Sequence, residues 1–257
     1  GAGYRASLPL IPLVVYSYLW FDPYTLRMPA YLSMSSYRSV NEDFDAPTIY
    51  DLLSDHLDRS RQVAFARCDL RLRLARRTIE EIGERAANLF KTRQLWCSEA
   101  VLSVLNRSLG GDLPDDLALR LGAGLGEGIG GGGCTCGALT GGTMAIGLFC
   151  GATGTGLHRS RGARERSRRL HDWFKAHYGS TCCRVLTKAL VQGTEAHFDR
   201  CAEKVAGTAA MTAELILETQ PDLLARADWD YLNQKDGRLK ARLKMVGDLL
   251  GRASNAR

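Results

Sequence analysis

The sequence predicts an all-α fold, a multi-helix bundle in which a glycine-rich loop leads into a central buried helix. Three observations carry this. Apolar residues recur at three-four spacing in segment after segment, as a helix face requires. Pro and Gly stand where helices start and stop. No run alternates at the period of two that marks a half-buried strand.

Taken in order, residues 22–45 carry Pro, Ser, Asn and Asp without a period and read as a tail. Helix signals begin at Asp45-Ala46-Pro47, and Ile49, Leu52, Leu53, His56, Leu57, Ser60 and Val63 follow at helical spacing. A second periodic segment, from about Leu70 to Phe90, puts Leu72, Ala75, Ile79, Ile82, Ala86, Leu89 and Phe90 on one face. The other face is charged and includes Arg77, Glu81 and Arg85, four apart and therefore suited to mutual pairing in water. A third helix is expected from near Cys97 to Leu109, stopped by Gly110-Gly111, and a short fourth from Pro114 through Leu121. After the glycine loop and central helix come an arginine-rich amphipathic helix, about Arg164 to Tyr178, and a turn at 179–183. A long helix from Glu195 to about Thr219 follows, closed by Pro221. The expected organisation is thus a tail over 1–45, a helical cysteine-bearing domain over 46–220 and an amphipathic helical extension over 221–257.

The N-terminal residues add little. The first residue is Gly, Met28 offers an internal start, and residues 1–30 are set aside as not native or as processed. The apolar run Leu8–Phe21 is interrupted by Pro9 and Pro12 and is shorter than the ~20 residues a membrane helix needs. A membrane partner is therefore disfavoured. Free thiols suit a reducing cytoplasm, although the apolar run leaves export open.

The chemistry concentrates between Gly122 and Cys150, GAGLGEGIGGGGCTCGALTGGTMAIGLFC. So many glycines are tolerated only where the backbone takes unusual dihedrals or approaches something closely. Cys136 falls at the start of the apolar helix that follows. Free amides and the positive end of the helix dipole there favour a thiolate, which makes Cys136 the candidate redox nucleophile. Cys134 can reach the same centre, whereas Cys150 lies a full helix away, about 20 Å. Cys97, one of the vicinal pair Cys182 and Cys183, and Cys201 also stand at helix starts or on an apolar stripe. Cys68 reads as a small buried hydrophobe.

The runs WCSEAVLSVLNRSLG, LGAGLGEGIGGGGCTCGALTGG, FKAHYGSTCCRVL and FDRCAEKVAGTAAMTAELILE resemble the C_GCAxxG_C_C family of redox-active proteins. That family's domain is also similar to part of the split-Soret cytochromes. The resemblance covers about residues 72–219 and implies roles by position. Cys97 matches the first cysteine, Cys136-Gly137-Ala138 with Gly141 the central motif, Cys182 or Cys183 the third cysteine, and Cys201 the last. Cys134 and the doubled Cys182–Cys183 depart from the pattern, so the metal-ligand candidates are Cys97, Cys134, Cys136, Cys182, Cys183 and Cys201. The resemblance implies redox or metal chemistry and names no substrate.

Thiolates from separate segments can hold an iron–sulfur cluster or, alternatively, zinc, giving electron transfer or metal handling. They can also cycle as a dithiol and a disulfide without metal, with Cys136 attacking. In either case Gly132, Gly133 and Gly137 are candidates to offer backbone amides to the sulfurs or cofactor. A third reading is a non-catalytic module that docks an acidic partner through its arginine faces, which a net charge of +6 permits. Whether the centre is enzymatic, its redox partner protein, and whether the chain forms a homo-oligomer are all left open.

Other chemistries are poorly supported. The glycine run can be fitted to G-x-G-x-x-G, but no strand precedes it. No Cys-x-x-Cys-His occurs. The cluster of Arg159, Arg161, Arg164, Arg166, Arg168 and Arg169 reads as a solvated helix face, so nucleic acid is disfavoured. The histidines read as surface or packing residues, with His177, five before Cys182, the best candidate ligand among them.

Overall fold

The computed structural model describes residues 46–255, with side chains described from residue 62 apart from a few positions. The expectations for residues 1–45 lie outside the described residues. The chain divides into two units, 1–58 and 59–257. The first is described only by the start of helix α1, Ala46–Lys91.

The fold is all-α. Helices α2 (Cys97–Ser108), α3 (Asp115–Ala123), the short α4 (Gly126–Ile129) and α5 (Gly137–Cys150) follow α1. Next come α6 (Arg161–Tyr178), the short α7 (Cys183–Thr187), α8 (Glu195–Leu217), α9 (Trp229–Leu232) and α10 (Arg238–Asn255). Among the described residues no strand forms, and an isolated antiparallel bridge joins Thr135 to Cys182. No helix among them is long and apolar enough to cross a membrane.

Helix α5 is the hub and packs on α2, α6 and α8. Its small residues make this closeness work. A Cβ at Gly141 would stand 2.6 Å from the Ser98 carbonyl oxygen, and one at Gly142 would stand 2.6 Å from Thr212 Oγ1. Around it Val101, Leu105, Ile146, Leu170, Phe174, Val205, Leu215 and Ile216 are fully buried. At roughly 1.5–3 kcal/mol for each large apolar side chain, this cluster is the main term holding the unit together.

Two expectations for α1 are corrected. The two predicted segments form one continuous helix of 46 residues, because no Gly or Pro interrupts the chain between Pro47 and Gly83. Leu72 is exposed, and the buried face begins in earnest at Ile82. Arg85 is not on a solvated face: it is 2% exposed and meets Asp236 at 3.2 Å. It also donates to the Gln234 carbonyl and to Asn88 Oδ1, both at 2.9 Å. Its guanidinium stands over the Tyr231 ring, 4.9 Å from the centroid, as does that of Arg107 at 4.3 Å.

Residues after Pro221 divide in two. Leu223, Leu224, Tyr231 and Leu232 join the core, while Leu239, Leu243 and Val246 of α10 are exposed. Of the arginine cluster, Arg161, Arg164, Arg168 and Arg169 of α6 face water, Arg166 is half-buried, and Arg159 precedes the helix. Arg168 pairs with Asp172 at 2.7 Å and Arg169 with Glu218 at 2.6 Å, while Arg159 donates to the Ala152 carbonyl.

Candidate functional site

Four of the eight cysteines converge. Cys97 opens α2, Cys136 is the cap residue of α5, Cys183 opens α7 and Cys201 lies one and a half turns into α8. All four line one cavity of about 30 Å³, room for one or two water-sized occupants. Phe90, Trp96, Ala138 and Val205 supply apolar wall, and Glu127, His197, Gln192 and Lys204 supply polar groups.

Local geometry explains the convergence. Helices α2 and α5 touch at their N-termini because Gly137 has no side chain: a Cβ there would collide with Cys97 Sγ. The short α4 is irregular and turns through left-handed dihedrals at Glu127 (φ 52°), Gly128 (φ 73°) and Ile129 (φ 65°) before the chain reaches α5. For the non-glycine residues this is strained backbone, of the kind that gathers at functional sites. The turn brings the Glu127 amide to Cys97, where with the amides of Ser98 and Cys97 it favours the thiolate. Beyond it Cys134 and Thr135 run antiparallel to Cys182 and Cys183. Cys136 N–H donates to the Thr181 carbonyl at 2.8 Å and Cys183 N–H to the Cys134 carbonyl at 2.5 Å.

The other candidates stand apart. Cys134 is exposed and outside the cavity. Cys182 is half-buried, and its thiol donates to the Gly133 carbonyl at 3.2 Å. Gly132 and Gly133 present carbonyls to Arg184, through its guanidinium at 2.9 Å and its amide at 3.0 Å. Cys150 sits at the far end of α5, 4.0 Å from the Thr219 hydroxyl. Cys68 is exposed, contrary to the expectation of a buried hydrophobe, because that stretch of α1 presents its side chains to solvent. His177 stacks on Trp173 on the surface, 4.5 Å between centroids. The histidine at the cavity is His197, whose Nδ1 accepts from the Gly193 amide at 3.3 Å. Neither Glu127 nor His197 carries a sequence signal. Each is a single polar residue that folding brings to the thiols.

Electrostatics reverse the expectation of an acidic Cys136. Burial pushes its thiol up to about 12, and the neighbouring Cys97 adds to the rise, outweighing the amides of Ala138 and Leu139. Burial likewise raises Cys97 and Cys183, and lifts Cys201 to about 11 despite Lys204 nearby. A helix N-terminus contributes only fractions of a kcal/mol up to about 2, less than the loss of hydration in an apolar cavity. In the metal-free protein at pH 8, alkylation of the buried Cys136 is expected to be slower by orders of magnitude than that of the exposed Cys134. Mass spectrometric alkylation rates check this, and equal rates would refute it.

Residues 95–215 match the family model described as "Putative redox-active protein (C_GCAxxG_C_C)". This segment belongs to the C_GCAxxG_C_C family. No curated protein and no solved structure matches the chain significantly. The C_GCAxxG_C_C match covers all four cavity cysteines together with Cys134 and Cys182, and excludes Cys68.

The donor set fits a thiolate-bound metal by its chemistry. Four thiols from four segments surround one enclosed space, and each raises the cost of ionising the next unless a cation offsets the charge. Among the described residues, however, no three His, Cys, Asp or Glu side chains are already arranged to hold an ion. Uptake therefore requires side-chain rearrangement and loss of thiol protons. At its present volume the cavity suits a single ion, and a cluster requires the walls to part.

Proposed function

We propose that the chain is a redox-active protein whose centre is the cavity of Cys97, Cys136, Cys183 and Cys201, loaded with an iron–sulfur cluster or a single thiolate-bound metal ion. The convergence of four thiols from four separate helices on one enclosed cavity carries the reading. When bound, thiolate-ligated iron supplies one-electron transfer, whereas zinc supplies a structural or metal-handling site. The chain's own residues then have defined tasks. The four thiols give up their protons on loading. The amides of Glu127 and Ser98 stabilise the Cys97 thiolate, and those of Ala138 and Leu139 stabilise the Cys136 thiolate. Lys204 lends positive charge to the Cys183 and Cys201 side. Phe90, Trp96 and Val205 keep water from the sulfurs.

A metal-free dithiol cycle is the second reading, favoured by the packing of Cys97 Sγ against Gly137, next to Cys136. Anaerobic expression followed by iron, zinc and acid-labile sulfide analysis separates the two. Stoichiometric metal is expected, lost in Cys97→Ser, Cys136→Ser, Cys183→Ser and Cys201→Ser and retained in Cys68→Ser and Cys150→Ser. Absence of metal, with two thiols oxidised reversibly, would sink the metal reading in favour of the dithiol. Retention of full metal in Cys201→Ser would remove that residue from the ligand set.

A further inference from the structure

Cys134 is an exposed thiol that the cavity does not use, and its position opposite Cys183 gives it a partner. Thr135 and Cys182 form an isolated antiparallel bridge, and Cys134 and Cys183 flank it at one end, where Cys183 begins α7. The Cys183 N–H donates to the Cys134 carbonyl at 2.5 Å, which joins the two backbones directly. Residues joined by such a backbone bond in an antiparallel pair have Cα atoms about 5.5 Å apart. That spacing lies inside the range of about 4.4–6.8 Å that a disulfide spans.

Gly128 gives a second, independent sign of proximity. A Cβ at this left-handed glycine would stand 2.6 Å from Cys134 N and 2.8 Å from Cys183 Cβ. The two cysteines thus close around one point, which any side chain at position 128 would occupy. The register also excludes the rival pairings. Cys182 is opposite Thr135 and its thiol is engaged by Gly133. Cys136 is opposite Thr181, which has no sulfur.

We propose that Cys134 and Cys183 form a reversible disulfide, a surface thiol switch that withdraws Cys183 from the cavity. The oxidant is an external disulfide of the glutathione class. The Cys134 thiolate attacks one of its sulfurs, forming a mixed disulfide and releasing one thiol. Cys183 then loses its proton and attacks Cys134 Sγ, releasing the second thiol and leaving the Cys134–Cys183 bond. Two electrons and two protons pass to the external disulfide, which becomes two thiols. Cys134 is the entry point because it is exposed, whereas Cys183 is half-buried against the cavity. Formation of the bond stands without the four-thiol reading; its effect on metal loading rests on that reading.

The test uses the metal-free chain of 257 residues, equilibrated anaerobically in glutathione buffers of rising oxidised fraction. Free thiols are then alkylated and the chain is digested with trypsin. Mass spectrometry is expected to find peptide 121–159 joined to peptide 176–184. The link should persist in Cys182→Ser and Cys136→Ser and vanish in Cys134→Ser, whose exposed site makes misfolding easy to exclude by circular dichroism. A link that survives in Cys134→Ser, or glutathionylation of Cys134 in the wild type with no link, would overturn the proposal. In the second arm, iron or zinc uptake should be lost in the oxidised wild type and kept in similarly treated Cys134→Ser. A link that forms without changing uptake would leave the disulfide standing and count against the four-thiol centre.

Discussion

Asp236→Ala is expected to lower stability by about 3–5 kcal/mol, because it strands a buried guanidinium. Arg85 is essentially inaccessible and its Nε already lacks a partner, so no water can replace the lost carboxylate without repacking. Asp236 also accepts from the Gln94 side chain at 3.1 Å and pairs with Lys240 at 3.3 Å, so its removal frees several donors together. Asp236→Asn, which keeps an acceptor oxygen, should lose less. Denaturant unfolding midpoints measure both, and a loss below about 1 kcal/mol for Asp236→Ala would show that Arg85 finds solvent easily.

The same pair gives a pH dependence of definite sign. Burial tends to raise the Asp236 carboxyl, but hydrogen bonds from Gln94, Lys240 and Arg85 outweigh it and hold the group below its usual range. A depressed folded-state pKa contributes stability that is present above the unfolded value, near 3.9, and is lost as pH falls through the folded value. The acid limb of the stability profile should therefore be shallower in Asp236→Asn than in the wild type.

Gly137→Ala is expected to do most damage at the site. By helix propensity alone it should stabilise α5 by up to about 1 kcal/mol. Sterics decide otherwise: the new methyl would collide with Cys97 Sγ and come within 3.0 Å of the Leu125 carbonyl oxygen. Forcing these apart should cost about 1–3 kcal/mol and displace Cys97 from the other three thiols, lowering metal capacity or, for a dithiol, the yield of the oxidised form. Gly147→Ala is the control, since a Cβ there meets nothing within 4 Å in the same helix. It should be neutral or slightly stabilising with the site intact. Equal outcomes for the two variants would show that close approach at Gly137 is not what sets the cavity.

Most helices are visible in the sequence because their causes are local. Gly110 ends α2, Pro114 opens α3 and Pro221 follows α8, each by a backbone property of the residue itself. The central helix, read as beginning at Gly137, does begin there. Order along the chain and chemical type likewise bring out Cys97, Cys136, Cys201 and the 182–183 pair, which the family pattern also marks. What needed the tertiary structure is whatever depends on partners distant in sequence. Arg85 satisfies a solvent-facing spacing on α1, yet it is buried because Asp236 and Gln234 arrive about 150 residues later. The choice of Cys183 over Cys182 for the cavity follows from long-range pairing, in which Cys182 bridges Thr135 and gives its thiol to the Gly133 carbonyl, and no local pattern encodes that. Cys136 sits at the helix start that was expected, but four apolar walls close over it. The acidity of a thiol is set by the dielectric of its surroundings as much as by its own helix. Sequence places the donors; packing decides which of them meet and how much charge they can bear.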